Sequence, residues 1–309
     1  MTTTAVKKQE EPRPAQDAVL DETAAVHAHP DISVEAFRIL QSEFAHPDQS
    51  YLQKRIANSA FWTKQAIQYG SALEATASTD WVRAASLRRL KSAIRENART
   101  LEIGCGNASS LLGPLSHSCR AFGVDITFEM LAAAKQAQKR IKGLARADAC
   151  RLPFPDGEFD VVYTSRCLIN ILDPEMQSLA IRELFRITKQ NGTVVLIENF
   201  REPVAAMNRA IEEWSAGEPV IDEHNLLLGL ERTLEIGIEA GWRPVSIQGN
   251  TMASFLANIM IRKISWRRGA TMINRLLYPL YNLLTRIEDR FGSRFPLFGK
   301  DTVVIFERA

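Results

Sequence analysis

With 309 residues, 46% hydrophobic and 24% charged, and a formal net charge of +2, the chain has the composition of an ordinary globular protein. That length allows one large or two modest domains, with a core that needs neither disulfides nor metal staples. A collagen, a coiled coil, a small secreted scaffold and a membrane channel are excluded. There is no uninterrupted apolar run of about 18 residues, and Cys105, Cys119, Cys150 and Cys167 form no CxxC pair, so neither a metal site nor a disulfide framework is expected. Lys7 and Lys8 have no apolar stretch behind them, which argues against a secretory signal and for a reducing, cytoplasmic setting.

Taken in chain order, residues 1–30 are rich in Thr, Ala, Pro, Gln and Glu, lack aromatics, and read as a disordered tail. Residues 31–98 read as a helical cap. Phe37, Leu40 and Phe44 share one helical face, Asn58 to Gly70 is rich in aromatics, and Asp80 heads a helix carrying Leu87, Leu90 and Ile94. From Thr100 the pattern changes to strands alternating with helices. Strands are expected at Thr100–Gly104, Ala121–Asp125, Leu144–Asp148, Phe159–Ser165 and Thr193–Glu198. Thr127 is expected to cap a helix through Met130, Ala134, Ala137 and Ile141. Asp173-Pro174 starts another with Met176, Ala180, Leu184 and Ile187 inward, and Asn191-Gly192 is expected to stop it. A helix from Asn225 to Ala240 ends at Gly241, followed by strands at Trp242–Gly249 and Asp301–Arg308. Such alternation implies a doubly wound, mostly parallel sheet covered on both faces.

Residues 250–300, between the last two strands, read as a helical insertion. Residues 251–300 hold nine Lys or Arg against two acids, a local excess of +7 that leaves −5 for the rest of the chain. Leu256, Ile259, Met260 and Ile264 form one apolar stripe, and Ile273, Leu277, Leu280 and Leu284 another, with Trp266, Tyr278 and Tyr281 beside basic residues. This pattern suits a helical lid with a solvated basic face, or peripheral contact with an anionic membrane or a lipid-like substrate. No nucleic-acid partner is expected, because the patch belongs to no recognised binding module.

The chemistry concentrates in Leu101-Glu102-Ile103-Gly104-Cys105-Gly106-Asn107, a strand running into a glycine turn and then a helix. Glycines there let backbone approach a ligand where a Cβ would collide. Asp125 closes the next strand, where a carboxylate accepts hydrogen bonds from a ribose diol; the alternative is a cap for the following helix. Further along come Asp148-Ala149-x-x-Leu152-Pro153-Phe154-Pro155-Asp156-x-x-Phe159-Asp160-Val161-Val162 and Leu184-Phe185-Arg186-Ile187-x-Lys189-x-Asn191-Gly192.

Together these runs resemble the class I S-adenosylmethionine-dependent methyltransferases of small-molecule type, over about residues 80–250 and the closing strand. The resemblance implies a Rossmann-like, seven-stranded, mostly parallel α/β sheet built from residues 99–249 with 301–309 and carrying helical cap insertions. It implies S-adenosyl-L-methionine as cofactor. Gly104 and Gly106 would lie under its methionine part, with Glu102 orienting that loop. Asp125 would bind the ribose with Ile126 against the adenine, Asp148 would bind the adenine amine with Ala149 on the ring, and Ser165 and Arg166 would line the floor near the sulfonium. Ala108 stands where the family often has Gly, and Ser109 departs from the Gly-x-Gly-x-x-Gly of nicotinamide dehydrogenases.

Candidate acceptor-site groups are Arg166, Asn170, Glu198, Asn199, Glu202 and His224, of which Arg166, Asn170 and His224 are the catalytic candidates. Trp62, Tyr69 and Gly70 are similar to a cap segment that folds over the cofactor in some small-molecule members. No Asn/Asp-Pro-Pro-aromatic run follows the fourth strand and no Pro-Cys dipeptide occurs, which argues against nucleic-acid amino and cytosine C5 methylation. Cys167 reads as a packing residue. The expected activity is methyl transfer to a small or lipophilic acceptor. The competing reading is a binding or regulatory protein of the same fold, and aminopropyl transfer is a third.

Overall fold

Leu101 and Ile103, Phe122 and Val124, Phe159, Val161 and Val162, and Val194 to Ile197 give the runs at 99–103, 120–125, 159–165 and 193–198 apolar positions suited to a pleated surface buried on both faces. In the computed structural model, which describes residues 49–76, 80–220, 225–264, 273, 276–291 and 294–308, these runs become the centre of one sheet. The tail at 1–30 and the helix expected around Phe37–Phe44 lie outside the described residues.

The elements are α1 (Gln49–Tyr69), α2 (Asp80–Ala93), β1 (Arg99–Ile103), α3 (Leu112–Leu115), β2 (Arg120–Asp125), α4 (Phe128–Ala137), β3 (Gly143–Arg146), β4 (Phe159–Ser165), α5 (Pro174–Ile187), β5 (Thr188–Glu198), α6 (Arg201–Glu213), α7 (Leu230–Glu239), β6 (Trp242–Gln248), α8 (Thr251–Phe255), α9 (Tyr278–Phe291) and β7 (Thr302–Arg308). The strand order is β3-β2-β1-β4-β5-β7-β6. β1 to β5 pair in parallel, while β7 runs antiparallel between β5 and β6. The α/β sheet is therefore seven-stranded and mostly parallel, as the sequence implies. Winding reverses between β1 and β4, which opens a crevice at their carboxyl ends.

The side-chain period of two divides the core between the sheet's faces. Val162, Val194 and Leu196 join Phe159, Phe185, Trp242 and Phe306 in one cluster. Tyr163, Val195 and Ile197 join Leu90, Leu112 and Leu115 in the other. Phe185 packs on both Trp242 and Phe306, with ring centroids 5.4 and 5.2 Å apart.

Several local expectations need correction. Asn191-Gly192 does not stop a helix. α5 ends at Ile187, β5 begins at once, and Asn191-Gly192 sits in a bulge where the register against β4 shifts. A Cβ on Gly192 would come 2.7 Å from the Asp160 carbonyl oxygen, so the bulge demands glycine. Thr127 makes no side-chain cap bond and α4 stops at Ala137, before Ile141. The helix expected from Asn225 begins at Leu230, because Leu228 is held in a bridge to Phe200. The third strand spans Gly143–Arg146 and leaves Asp148 outside it. Asp173 does cap α5, accepting the Met176 N–H at 2.9 Å, and Gly241, at φ +79°, ends α7.

The described part of the insertion between β6 and β7 is helical at 251–264 and 278–291 and irregular at 295–300. α8 runs through a π-helical stretch (Leu256–Ile261) into a final turn at Arg262–Ile264. The i→i+5 pattern there rotates the expected apolar stripe, so that Ile259 is buried and Met260 faces outward. Trp81 and Val82 of α2 pack with Ala253, Ala257 and Tyr281. Beside them Arg89, almost fully buried, donates to Asp289 at 2.6 Å, Asn250 at 3.0 Å and the Gly249 carbonyl at 3.0 Å. Arg88 adds bonds to Asp289 and Thr285.

Removing the Arg89 guanidinium leaves the Asn250 and Gly249 acceptors without their donor, while Asp289 keeps Arg88. Arg89→Met is expected to lower unfolding stability in urea by about 1–3 kcal/mol. Arg232→Met, which removes exposed ion pairs on α7, is expected to leave the urea midpoint unchanged.

Candidate functional site

At the end of β1 the chain folds back over β2. The Gly104 and Cys105 N–H groups both donate to the Val124 carbonyl, at 2.8 and 2.9 Å. Gly104 (φ +71°), Gly106 (φ +52°) and Ala108 (φ +57°) all adopt the left-handed conformation. A side chain at Gly104 would collide with the Cys167 sulfur, so this glycine is fixed by protein packing as well as by its dihedral. Cys167 thus fills space beneath the turn, the packing role its sequence context gives it. Ala108 is the costlier occupant of its position, because a Cβ disfavours that dihedral.

Asp125 holds this turn. Its Oδ2 accepts the Gly106 N–H and its Oδ1 the Thr127 N–H, both at 2.8 Å. The two readings of Asp125 are therefore compatible: the carboxylate anchors the start of α4, yet it is partly exposed and each oxygen has two lone pairs. Beside it, Glu102 is buried and accepts the Tyr163 hydroxyl at 3.0 Å. Burial pushes Glu102 up to about 8, the Tyr163 bond opposing the rise, while the nearby Asp125 adds to it. Burial also raises Asp125, against the N–H bonds from Thr127 and Gly106.

β4 and β5 complete the edge. Arg166 follows β4 in a left-handed conformation (φ +54°), an uncommon one for a non-glycine residue, and is partly buried. The Asn170 side chain donates to the Arg166 carbonyl at 2.8 Å, so its amide group braces this turn. Glu198 is fully buried; its Oε1 accepts the Cys167 and Leu168 N–H groups at 3.0 and 3.1 Å. Burial pushes Glu198 up to about 7, with those backbone bonds opposing.

α1 lies across this edge. Asn58 donates to the Asn170 carbonyl at 2.8 Å, and Thr63 donates to Glu129 of α4 at 3.1 Å. Trp62 packs with Ala66, Ala75 and Met130, while Tyr69 remains exposed. Asn107, fully buried, donates to the Gly70 and Ala72 carbonyls at 2.9 and 2.8 Å and ties the glycine turn to the end of α1.

The other expected site residues are distributed as follows. Ile126 and Ser165 stand partly exposed at the ends of β2 and β4. Asp148 accepts the Cys150 N–H through Oδ1 at 3.0 Å, and Ala149 packs against the core. Asn199 is buried and accepts the Asp301 N–H, a structural task. Glu202 accepts the Leu230 N–H and so caps α7. His224 lies outside the described residues. Among the described residues no cluster of metal-ligating side chains occurs.

Residues 101–196 match the model of a methyltransferase domain family. The chain carries a class I S-adenosylmethionine-dependent methyltransferase domain. A phosphatidylethanolamine N-methyltransferase from Cereibacter sphaeroides is 33% identical over 138 residues, covering 41% of this chain and 66% of that protein. A demethylmenaquinone methyltransferase from Mycolicibacterium gilvum is 36% identical over 100 residues, covering 32% of this chain and 41% of its own. Among solved structures, a SAM-dependent methyltransferase from Archaeoglobus fulgidus superposes with a TM-score of 0.48 at 20% identity, over 76% of this chain and 96% of that one. The matched segments thus span less than two thirds of these curated relatives.

Sequence reasoning about the methyltransferase domain missed two supports. Asn107 was visible as the residue after Gly-x-Gly, but its partners arrive from a helix end that spacing cannot locate. Glu198 was noted for its position, not for the two backbone groups it holds.

Glu102 and Glu198 share one linkage. Both are raised above the usual 4.5 in the folded state, so their contribution to stability is complete below about 4.5 and is lost as pH rises through about 7 and 8. Calorimetric melting between pH 5 and 9 is expected to show Tm falling with pH for the wild type. In Glu102→Gln the decline at the alkaline end is expected to be shallower; parallel curves would show that Glu102 does not titrate in this range.

Proposed function

We propose that this chain transfers a methyl group from S-adenosyl-L-methionine to a small lipophilic acceptor by in-line displacement. The observation that carries the reading is the pairing of the left-handed Gly104–Gly106 turn with the partly exposed Asp125 carboxylate at the switch point of the sheet. The residues present fit the cofactor: carboxylate oxygens with lone pairs left for a diol, and small residues where backbone must come close. When bound, S-adenosylmethionine supplies an already activated methyl group, so the protein's task is to orient the acceptor and exclude water.

In this reading Asp125 accepts hydrogen bonds from the ribose hydroxyls. Asp148 and Ala149 hold the adenine end. Glu102, uncharged at neutral pH and held by the Tyr163 hydroxyl of β4, orients the glycine turn that follows it. α1, fixed through Asn58, Thr63 and Asn107, roofs the crevice and keeps water out. Arg166 and Ser165 line the floor. Asn170 is assigned a positioning role through the Arg166 carbonyl rather than direct contact with the acceptor. A base is needed only for an acceptor that must lose a proton, and His224 is the candidate. Residues 99–249 with 301–309 are taken as the catalytic unit, and 31–98 and 250–300 as its caps.

The names of the relatives support the lipophilic class: one acts on phosphatidylethanolamine, the other on demethylmenaquinone. Acceptors of this kind reside in bilayers, so peripheral membrane contact belongs to the same reading. The test is incubation with methyl-labelled cofactor and a detergent-dispersed lipid extract, followed by mass spectrometry. A labelled lipid product is expected; label in no lipid or polar fraction would favour a binding protein without transfer. Calorimetry of Asp125→Ala is expected to show cofactor affinity reduced roughly 10- to 100-fold, and unchanged affinity would remove the ribose assignment.

A further inference from the structure

α9 has two apolar faces, and among the described residues only one of them is packed. Leu277, Tyr281 and Leu284 join the cluster formed with α2 and α8, and Thr285 and Glu288 are buried on the same side. The sequence stripe Ile273–Leu277–Leu280–Leu284 is thus only partly the inward one, for Leu280 points out. Leu276, just before the helix, is 70% exposed, Leu283 55%, Phe291 45% and Leu280 38%. Their spacing of three, four and eight residues places them on one side of the helix as a continuous outward stripe.

The charges around this stripe have one sign. Arg286 and Arg290 are exposed, three and seven residues beyond Leu283 and so alongside it. The Arg294 guanidinium lies 6.0 Å from the centre of the Phe291 ring. The helix's two acids are committed elsewhere: Glu288 accepts the Met252 N–H, and Asp289 binds Arg88 and Arg89. Docking of the insertion therefore removes its negative charge from the outer face and leaves leucines, a phenylalanine and arginines. A solvated helix face normally interleaves both signs. A second copy meeting the same face would bring arginine against arginine. An anionic bilayer complements both features, with apolar side chains entering the head-group boundary and guanidinium groups meeting phosphates.

We propose that the outward face of α9 seats the protein on the surface of an anionic phospholipid bilayer. The seat is peripheral: among the described residues no helix is long and apolar enough to cross a membrane. Its purpose, bringing a lipophilic acceptor to the crevice, rests on the methyl-transfer reading.

The test is co-sedimentation of the full chain with phosphatidylcholine vesicles, alone or with about 30 mol% phosphatidylglycerol, at about 0.05 and 0.5 M salt. The wild type is expected to sediment with the anionic vesicles at low salt, and roughly tenfold less with neutral vesicles or at high salt. The double variant Leu276→Glu/Leu283→Glu is expected to lose roughly tenfold in binding to the anionic vesicles. Both positions are exposed, so its circular dichroism and its cofactor affinity by calorimetry should match the wild type. Sedimentation of the variant equal to the wild type, or no binding of the wild type to anionic vesicles at low salt, overturns the proposal. So does a wild-type dimer on size exclusion that the double variant dissolves without changing vesicle binding. Methyl transfer to detergent-dispersed lipid separates the two readings. Transfer without vesicle binding removes the seat alone, and vesicle binding without transfer removes the activity alone.

Discussion

Asp125 grips two stretches of backbone at once, the glycine turn above β1 through Gly106 and the start of α4 through Thr127. Parallel strands end with peptide groups that have lost their ladder partners, and those groups need others when buried. Here side chains supply them in a connected series. Asp125 fixes the turn, and the turn brings Gly104 onto Cys167. The Cys167 amide is held by Glu198 from the end of β5. Asn107 fastens the same turn to the end of α1. Four neighbouring strand ends and the helix bonded to them are thus joined by a few short contacts, and loosening one would shift the others.

The same edge is an expensive place for negative charge. Glu102, Asp125 and Glu198 are all raised by burial, and none has a cationic side chain among its named hydrogen-bond partners. Protein hydrogen bonds temper the rise without cancelling it. A positively charged ligand brought to this crevice would favour the ionised forms and draw these values down again. S-adenosylmethionine carries a cationic sulfur, a charge of the sign that would favour ionisation of these groups.

Much of this was legible in the sequence, for reasons that are local. A strand, two glycines and an acid at the next strand's end are short-range patterns, as is Asp173-Pro174 before an amphipathic helix. What escaped depends on distant partners. The Asn191-Gly192 pair resembles a helix stop until Asp160 across the sheet is seen to exclude a Cβ. Glu202 looks like a site acid until Leu230 takes it as a cap. Which face of the insertion keeps its acids is not legible, because nothing near Glu288 and Asp289 reveals that α2 will claim Asp289. The doubled apolar character of α9 was read as one stripe, since periodicity reports that a face is apolar but not which face the fold covers.

The antiparallel β7 has its own consequence. β6 and β7 are paired neighbours, with Gln248 opposite Val303, so the insertion leaves and rejoins the sheet at adjoining points. It is a hairpin turn enlarged into several helices. Turns of this kind tolerate changes of length and content without moving the strands that carry them. Relatives sharing this strand pairing could therefore exchange what lies between these two strands while leaving the glycine turn and Asp125 untouched. The seam at Trp81, Arg88 and Arg89 is the part that any replacement would have to fit.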